Sequence, residues 1–151
     1  MRVNKLEITS MTAHFGEPLG CDDRRTKDIP PPSTVIGILK VLFGEDIDDF
    51  IFGYTFASQA KFKDDITLYK HNTEGFTLNK EKNGLATNCN FREYLYENEL
   101  TIYTDLNNDL EMNYALCLGK SGNIARLHLP FTEINLINKD GQGFNQFTPK
   151  N

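Results

Sequence analysis

The run Ile29-Pro30-Pro31-Pro32-Ser33-Thr34-Val35-Ile36-Gly37-Ile38-Leu39 decides how the rest of the chain is read. Three consecutive prolines fix their own φ and remove three backbone donors, so a helix can begin only where they end. Ser33 or Thr34 is a fitting cap, and the apolar run from Val35 predicts a helix that Gly44 stops. Its apolar residues recur almost all round, which predicts burial against a sheet and further elements. Gly37 predicts a close approach to that sheet. The first-turn amides, with the Ser33 and Thr34 hydroxyls, would suit a phosphate, although a capped core helix that binds nothing explains the same residues.

Upstream, Val3 to about His14 alternates in the manner of a strand, with Leu6 and Ile8 opposite Lys5, Glu7 and Thr9. Gly16 to Pro32 reads as a loop carrying the basic group Arg24, Arg25 and Lys27. Downstream, Phe52, Tyr54, Phe56, Ser58 and Ala60 alternate as a second strand, with the aromatics read as core rather than as base-stacking surface. Ile66 to Tyr69 reads as a short strand, Asn72 to Asn90 as a polar loop. Phe91 to Tyr96 and Leu100 to Tyr103 read as a pair or hairpin around Glu97-Asn98-Glu99. A second helix is expected from about Leu106 to Leu118, ended by Gly119-Lys120-Ser121-Gly122, and Ile124 to Ile137 as the last strand. Strand, helix, strand, strand, helix, strand predicts an α+β, ferredoxin-like (RRM-like) βαββαβ domain over residues 1–137, followed by a loose tail over 138–151.

Composition narrows the class. Hydrophobic residues at 39% and aromatics at 11% are those of a globular domain. No apolar stretch approaches the roughly 20 residues of a membrane span, and Met1-Arg2-Val3-Asn4-Lys5 leads straight into alternation without a signal-peptide core. A soluble, cytoplasmic protein without membrane contact is expected. Cys21, Cys89 and Cys117 are odd in number and widely spaced, which predicts thiols rather than disulfides or a zinc site. The acidic runs Glu45-Asp46 and Asp48-Asp49 lack the pattern of a cation loop, and no Walker loop or dinucleotide fingerprint is present. Neither metal nor cofactor is expected.

A net charge of −5 opposes free-standing nucleic-acid binding, but the acid is concentrated in two blocks, 45–65 at −4 and 93–113 at −6. A fold that turns those blocks aside leaves the remaining surface basic.

With the elements placed, the run from Pro30 to Gly44 and the preceding strand Ile8 to Pro18 resemble the N-terminal half of the CRISPR-associated protein 5 family. Phe52 to Asn72, Phe91 to Asp105 and Ala115 to Asn123 follow in matching order, so the resemblance covers about residues 3 to 125. It implies a subunit of a type I surveillance complex within the repeat-associated RNA-binding superfamily. Such a subunit caps the 5′ handle of the guide RNA, using a ferredoxin-like domain and a protruding hairpin or thumb. It also contacts the backbone-forming and large subunits. Members commonly continue into a second β-rich half, whereas this chain stops soon after its Gly-Lys-Ser segment, in the manner of a short or truncated member.

A single-stranded handle needs phosphate partners and planar surfaces for splayed bases. Arg24, Arg25 and Lys27 are the first candidates, although Asp22, Asp23 and Asp28 flank them. Lys120 and Ser121 could form an anion-holding turn or merely end a helix. Lys61, Lys63, Lys70 and His71 lie near the aromatic strand, Ser33 and Thr34 at the helix start, and His14 where the first strand meets the loop. His128 is expected to be an ordinary strand residue. Some family members cleave repeat RNA with a tyrosine, a lysine and a histidine, for which Tyr69, Lys70 and His71 are the weak candidates here. Neighbours on a strand point to opposite faces, so a non-catalytic role is the expectation. A metal-independent endoribonuclease is the alternative, and a protein-only module whose acidic blocks bind a basic partner is the third.

Overall fold

The computed structural model describes residues 1–17, 24–71, 85–107, 109–111 and 114–137, with the side chains of 66–71 and 85–89 left aside. The elements are β1 (Arg2–Ala13), α1 (Pro32–Phe43), β2 (Phe52–His71), β3 (Leu85–Thr104) and β4 (Ala125–Asn135). One sheet holds the four strands in the order β2-β3-β1-β4, and every neighbouring pair is antiparallel. The chain is therefore α+β, with more sheet and less helix than its sequence predicts. No helix among the described residues is long and apolar enough to cross a membrane.

The core lies between α1 and one face of the sheet. Leu6 and Ile8 of β1, Tyr54 and Phe56 of β2, and Leu100 and Ile102 of β3 cluster with Val35, Ile38, Leu39, Leu42 and Phe43 of α1. Each fully buried aliphatic side chain stabilises the fold by about 1.5–3 kcal/mol. Tyr54 belongs to this core, with its hydroxyl donating to the Pro30 carbonyl at 2.7 Å. That bond ties the proline run to β2. The buried positions of α1 recur every three or four residues, so the helix is one-sided rather than buried all round. Gly37 lies on its exposed face, and a Cβ built there would meet no atom within 4 Å. The expected close approach to the sheet is not made by this glycine.

The start of α1 also differs in detail. Pro31 is the cap, without a side-chain cap from Ser33 or Thr34. The amides of Thr34 and Val35 both donate to the Pro31 carbonyl, at 2.9 and 3.4 Å, and Pro32 has no amide hydrogen. Little is left there to meet a phosphate. At the other end Gly44 behaves as predicted, with φ of 101° and its N–H donating to Lys40 O at 3.0 Å.

Glu97-Asn98-Glu99 is not a turn. β3 runs straight through it, with Glu97 in the left-handed region at φ 47°. Pairing keeps its register on both sides, from Ser10↔Asn98↔Ser58 to Thr12↔Tyr96↔Ala60. What changes is the side of the sheet on which successive residues fall. Below this row Ile8, Ser10, Asn98 and Leu100 are buried; above it Ala13 and Leu95 are. An odd step in the buried series on adjacent strands transfers the core-facing set by one residue without breaking the pairing.

Beyond Ala13↔Leu95 β1 ends, while β2 and β3 continue as a two-stranded ribbon from Phe62↔Tyr94 to His71↔Leu85. The predicted break between β2 and the short strand at Ile66 is absent. Beside the base of this ribbon Arg24 takes the place of β1, bridging in parallel to Arg92.

The second helix is absent from the described residues between β3 and β4. Leu110 and Tyr114, on its predicted apolar face, are exposed, whereas Leu106, Leu116 and Leu118 are buried. A spacing of two between Leu116 and Leu118 fits an extended segment, not a helical turn. Asn4 Nδ2 donates to Leu106 O at 2.7 Å, and Cys117 bridges Ile124 before β4 begins.

Candidate nucleic-acid interface

Three segments meet where β1 ends. The turn Gly119-Lys120-Ser121-Gly122 is drawn onto β1 by the His14 amide donating to Leu118 O at 3.3 Å. Within the turn the Asn123 amide donates to Lys120 O at 2.9 Å, and Thr12 Oγ1 donates to Asn123 Oδ1 at 3.0 Å. Arg24 is fixed by two backbone bonds to β3, its amide to Phe91 O at 3.0 Å and the Glu93 amide to its own carbonyl at 2.9 Å. Arg92 lies between those bonds on β3 itself. Thr12, Phe62, Asp64, Arg92, Tyr94 and Lys120 line a shallow depression of about 380 Å³.

The electrostatics of this place are dominated by cations, with Asp64, opposite Arg92 on the neighbouring strand, the one acid among the lining residues. Lys120 is half-buried, and burial lowers its pKa below the usual ammonium value, with the charges of Arg92 and Arg24 lowering it further. His14 is 3% exposed. Burial depresses its pKa; the Glu93 carbonyl opposes the shift, and Lys120, Arg92 and Arg24 reinforce it. His14 Nδ1 lies 2.8 Å from that carbonyl, so Nδ1 carries the hydrogen and Nε2 is the acceptor of the neutral ring. Among the described residues no carboxylate forms an ion pair with Arg24, Arg92 or Lys120. Arg92 Nη1 donates to the Tyr94 hydroxyl at 3.3 Å, while its buried Nε has no acceptor. Cations that repel one another in partial burial, with a donor left over, favour an arriving anion.

Flat surface lies alongside. Phe62 and Tyr94 stack at 5.6 Å with 24° between their planes, and Tyr94 also meets His14 at 6.0 Å. Phe62 is 39% exposed. Cations next to accessible rings supply both a phosphate contact and a base-stacking platform.

Of the residues singled out from sequence, His14, Arg24, Lys120 and Ser121 belong to this place. Arg25 and Lys27 are exposed on the adjoining segment, each tied through its backbone, to Glu17 and Phe15 respectively. Lys63 is exposed on β2 opposite Glu93. Lys61 is already engaged: its ammonium donates to Thr26 O at 2.9 Å and Asp28 Oδ1 at 3.0 Å and lies 3.5 Å from Glu93 Oε2. Burial works against its charge, but the two carboxylates outweigh it and raise the pKa. Ser33 and Thr34 make no hydrogen bond to the cation group. Tyr69, Lys70 and His71 are placed by backbone alone, on the ribbon opposite Thr87, Ala86 and Leu85; their side chains lie outside the described ones. Among the described residues no cluster of His, Cys, Asp and Glu is placed to hold a metal.

Sequence reading missed Arg92, Tyr94 and Phe62. The available signal was a lone base between aromatics in Phe91-Arg92-Glu93-Tyr94, a pattern also typical of an ordinary strand.

The family model described as CRISPR-associated protein (Cas_Cas5) matches residues 5–116, well over half of the chain. A solved chain from a structure titled "CRISPR RNA-guided surveillance complex" superposes with a TM-score of 0.58 at 15% identity, over 81% of this chain. At that identity the likeness is one of fold. This chain spans 59% of the matched one. No match is found among curated proteins.

Proposed function

Since this chain belongs to the CRISPR-associated protein 5 family, we propose that it is a non-catalytic subunit of an RNA-guided surveillance complex that holds the 5′ handle of the guide RNA. The observation that carries this reading is the group Arg24, Arg92 and Lys120, without carboxylate partners among the described residues, beside the Phe62–Tyr94 stack. A single-stranded end entering there meets cations for its phosphates and rings for its bases. The β2–β3 ribbon rising from the same place is the natural thumb. The strand order β2-β3-β1-β4 with α1 as the first crossover is read as the ferredoxin-like arrangement, the second crossover being made by the irregular segment 105–124. Backbone-forming and large subunits would be its neighbours, in the cytoplasm.

A cleaving role draws less support. Lys70 and His71 occupy consecutive register positions of a paired strand, opposite Ala86 and Leu85, and consecutive positions do not share a face of a sheet. The test is binding of a labelled repeat-derived handle RNA, alone and with sister subunits, by wild type and by Arg92→Ala/Lys120→Ala. A loss of tenfold or more in the variant supports the reading, and equal affinities sink it. Incubation of repeat RNA with micromolar protein in EDTA should leave the RNA intact.

A further inference from the structure

Asp64 stands directly opposite Arg92, one step up the ribbon from the facing pair Phe62 and Tyr94. Opposed residues, and residues two apart, share a side of a sheet, so the two rings, the carboxylate and the guanidinium front the same depression. The turn carrying Lys120 and Ser121 borders it from the flank of β1, where Thr12 holds Asn123.

An acid and a base opposed in this way ordinarily pair across the strands. Here Asp64 forms no ion pair among the described residues. Arg92 turns Nη1 to the Tyr94 hydroxyl instead, and its buried Nε has no acceptor. A solitary carboxylate among cations that attract phosphate lowers the affinity for any RNA backbone. Only a ligand that brings N–H groups to the carboxylate offsets that loss.

The four bases differ in what they offer a carboxylate beside a guanidinium. Guanine alone presents two parallel donors, N1–H and N2–H, with the O6 acceptor next to them. Adenine carries an amino group where guanine has O6, and its N1 is an acceptor. Cytosine offers one amino donor beside an acceptor nitrogen, and uracil one N–H between two carbonyls.

We infer that this depression reads a guanine of the bound RNA. The base lies against the Phe62–Tyr94 stack, Asp64 accepts from N1–H and N2–H, Arg92 donates to O6, and Lys120 holds an adjoining phosphate. Stacking rings take any base, so Asp64 is the specificity-determining residue. Guanine selection rests on the handle-binding reading and adds the identity of one base to it.

The test is fluorescence anisotropy of the full chain at low salt with labelled uridylate heptamers whose central base is guanine, hypoxanthine, adenine, cytosine or uracil. Guanine should bind about tenfold or more tighter than adenine, cytosine and uracil, with hypoxanthine, which lacks the N2 amino group, in between. Asp64→Ala should erase that order. The guanine heptamer weakens, while oligouridylate binds as before or tighter because a carboxylate facing phosphate is gone. A carboxylate that merely paired with Arg92 would shift every heptamer by one common factor. Guanine selection fails on that outcome, on equal binding of the five heptamers by wild type, or on an order that survives Asp64→Ala. It also fails if guanosine 5′-monophosphate competes as well as the guanine heptamer, which would make this a free-nucleotide site. Heptamers bound without preference and lost in Arg92→Ala/Lys120→Ala leave handle binding standing and sink the guanine alone. No binding of any heptamer, even with sister subunits present, sinks both.

Discussion

Gly119 and His14 stand so close that a Cβ on residue 119 would overlap the His14 carbonyl oxygen. With φ at 91°, residue 119 is also in a region that side chains avoid. Gly119→Ala should therefore cost about 2–4 kcal/mol, combining left-handed strain with a backbone clash. Urea unfolding checks this: the midpoint should fall with little change in slope. The turn carrying Lys120 should detach from β1, so RNA affinity should fall as well.

Lys120 tests whether the cation group exists for a ligand. In the unliganded protein its charge is opposed by burial and by Arg92 and Arg24. Lys120→Met should leave stability unchanged or slightly raised, yet weaken handle RNA by about tenfold to a hundredfold, the worth of one charge-assisted hydrogen bond. The slope of log affinity against log salt should shrink by about 0.7. A variant that loses stability and keeps its affinity would show that the lysine is structural.

His14 sets a pH dependence whose sign is determined. Its folded pKa lies below the ordinary imidazole value, chiefly through burial. Between the folded and unfolded values the unfolded chain binds more protons, so stability is complete above about pH 6.5 and declines as pH falls through that window. Phosphate beside the ring favours the protonated form, so RNA affinity should rise over the same fall in pH. His14→Asn, whose Nδ2 can donate to Glu93 O in place of Nδ1, should flatten both profiles.

Lys61 is expected to act through position rather than contact. Lys61→Ala removes the ties to Thr26, Asp28 and Glu93. The site is partly exposed, so the stability cost should be no more than about 0.5–1 kcal/mol. Hydrogen exchange at the Arg24 and Glu93 amides should nevertheless quicken, because the segment they anchor loses its outer support.

The proline run, the capping role of Gly44 and the alternation of β1 and β2 were legible because each depends on residues close in sequence. The buried face of α1 was legible in kind but not in extent, since Ile36 and Val41 are only half-buried apolar residues on a one-sided helix. Glu97-Asn98-Glu99 misled because three polar residues between apolar runs imitate a turn. Only pairing to two neighbouring strands holds β3 through them. The absent helix was misread from Leu110 and Tyr114, whose exposure depends on tertiary context. His14, Arg24 and Lys120 were individually visible, but their convergence rests on the Arg24 bridge to β3 and the Gly119 contact, neither of which has a sequence signature.

The change of side at Glu97 has an electrostatic corollary. Above it, Arg92 and Tyr94 occupy the face opposite to Leu95 and Glu93 because one residue has altered the parity of the strand. Returning Glu97 to ordinary strand geometry, with no residue removed, would restore the simple alternation and invert that assignment along the whole upper part of β3. Glu93 would then be presented where the guanidinium had been, and the polarity of the wall at the ribbon's base would reverse with no charge added to or removed from it.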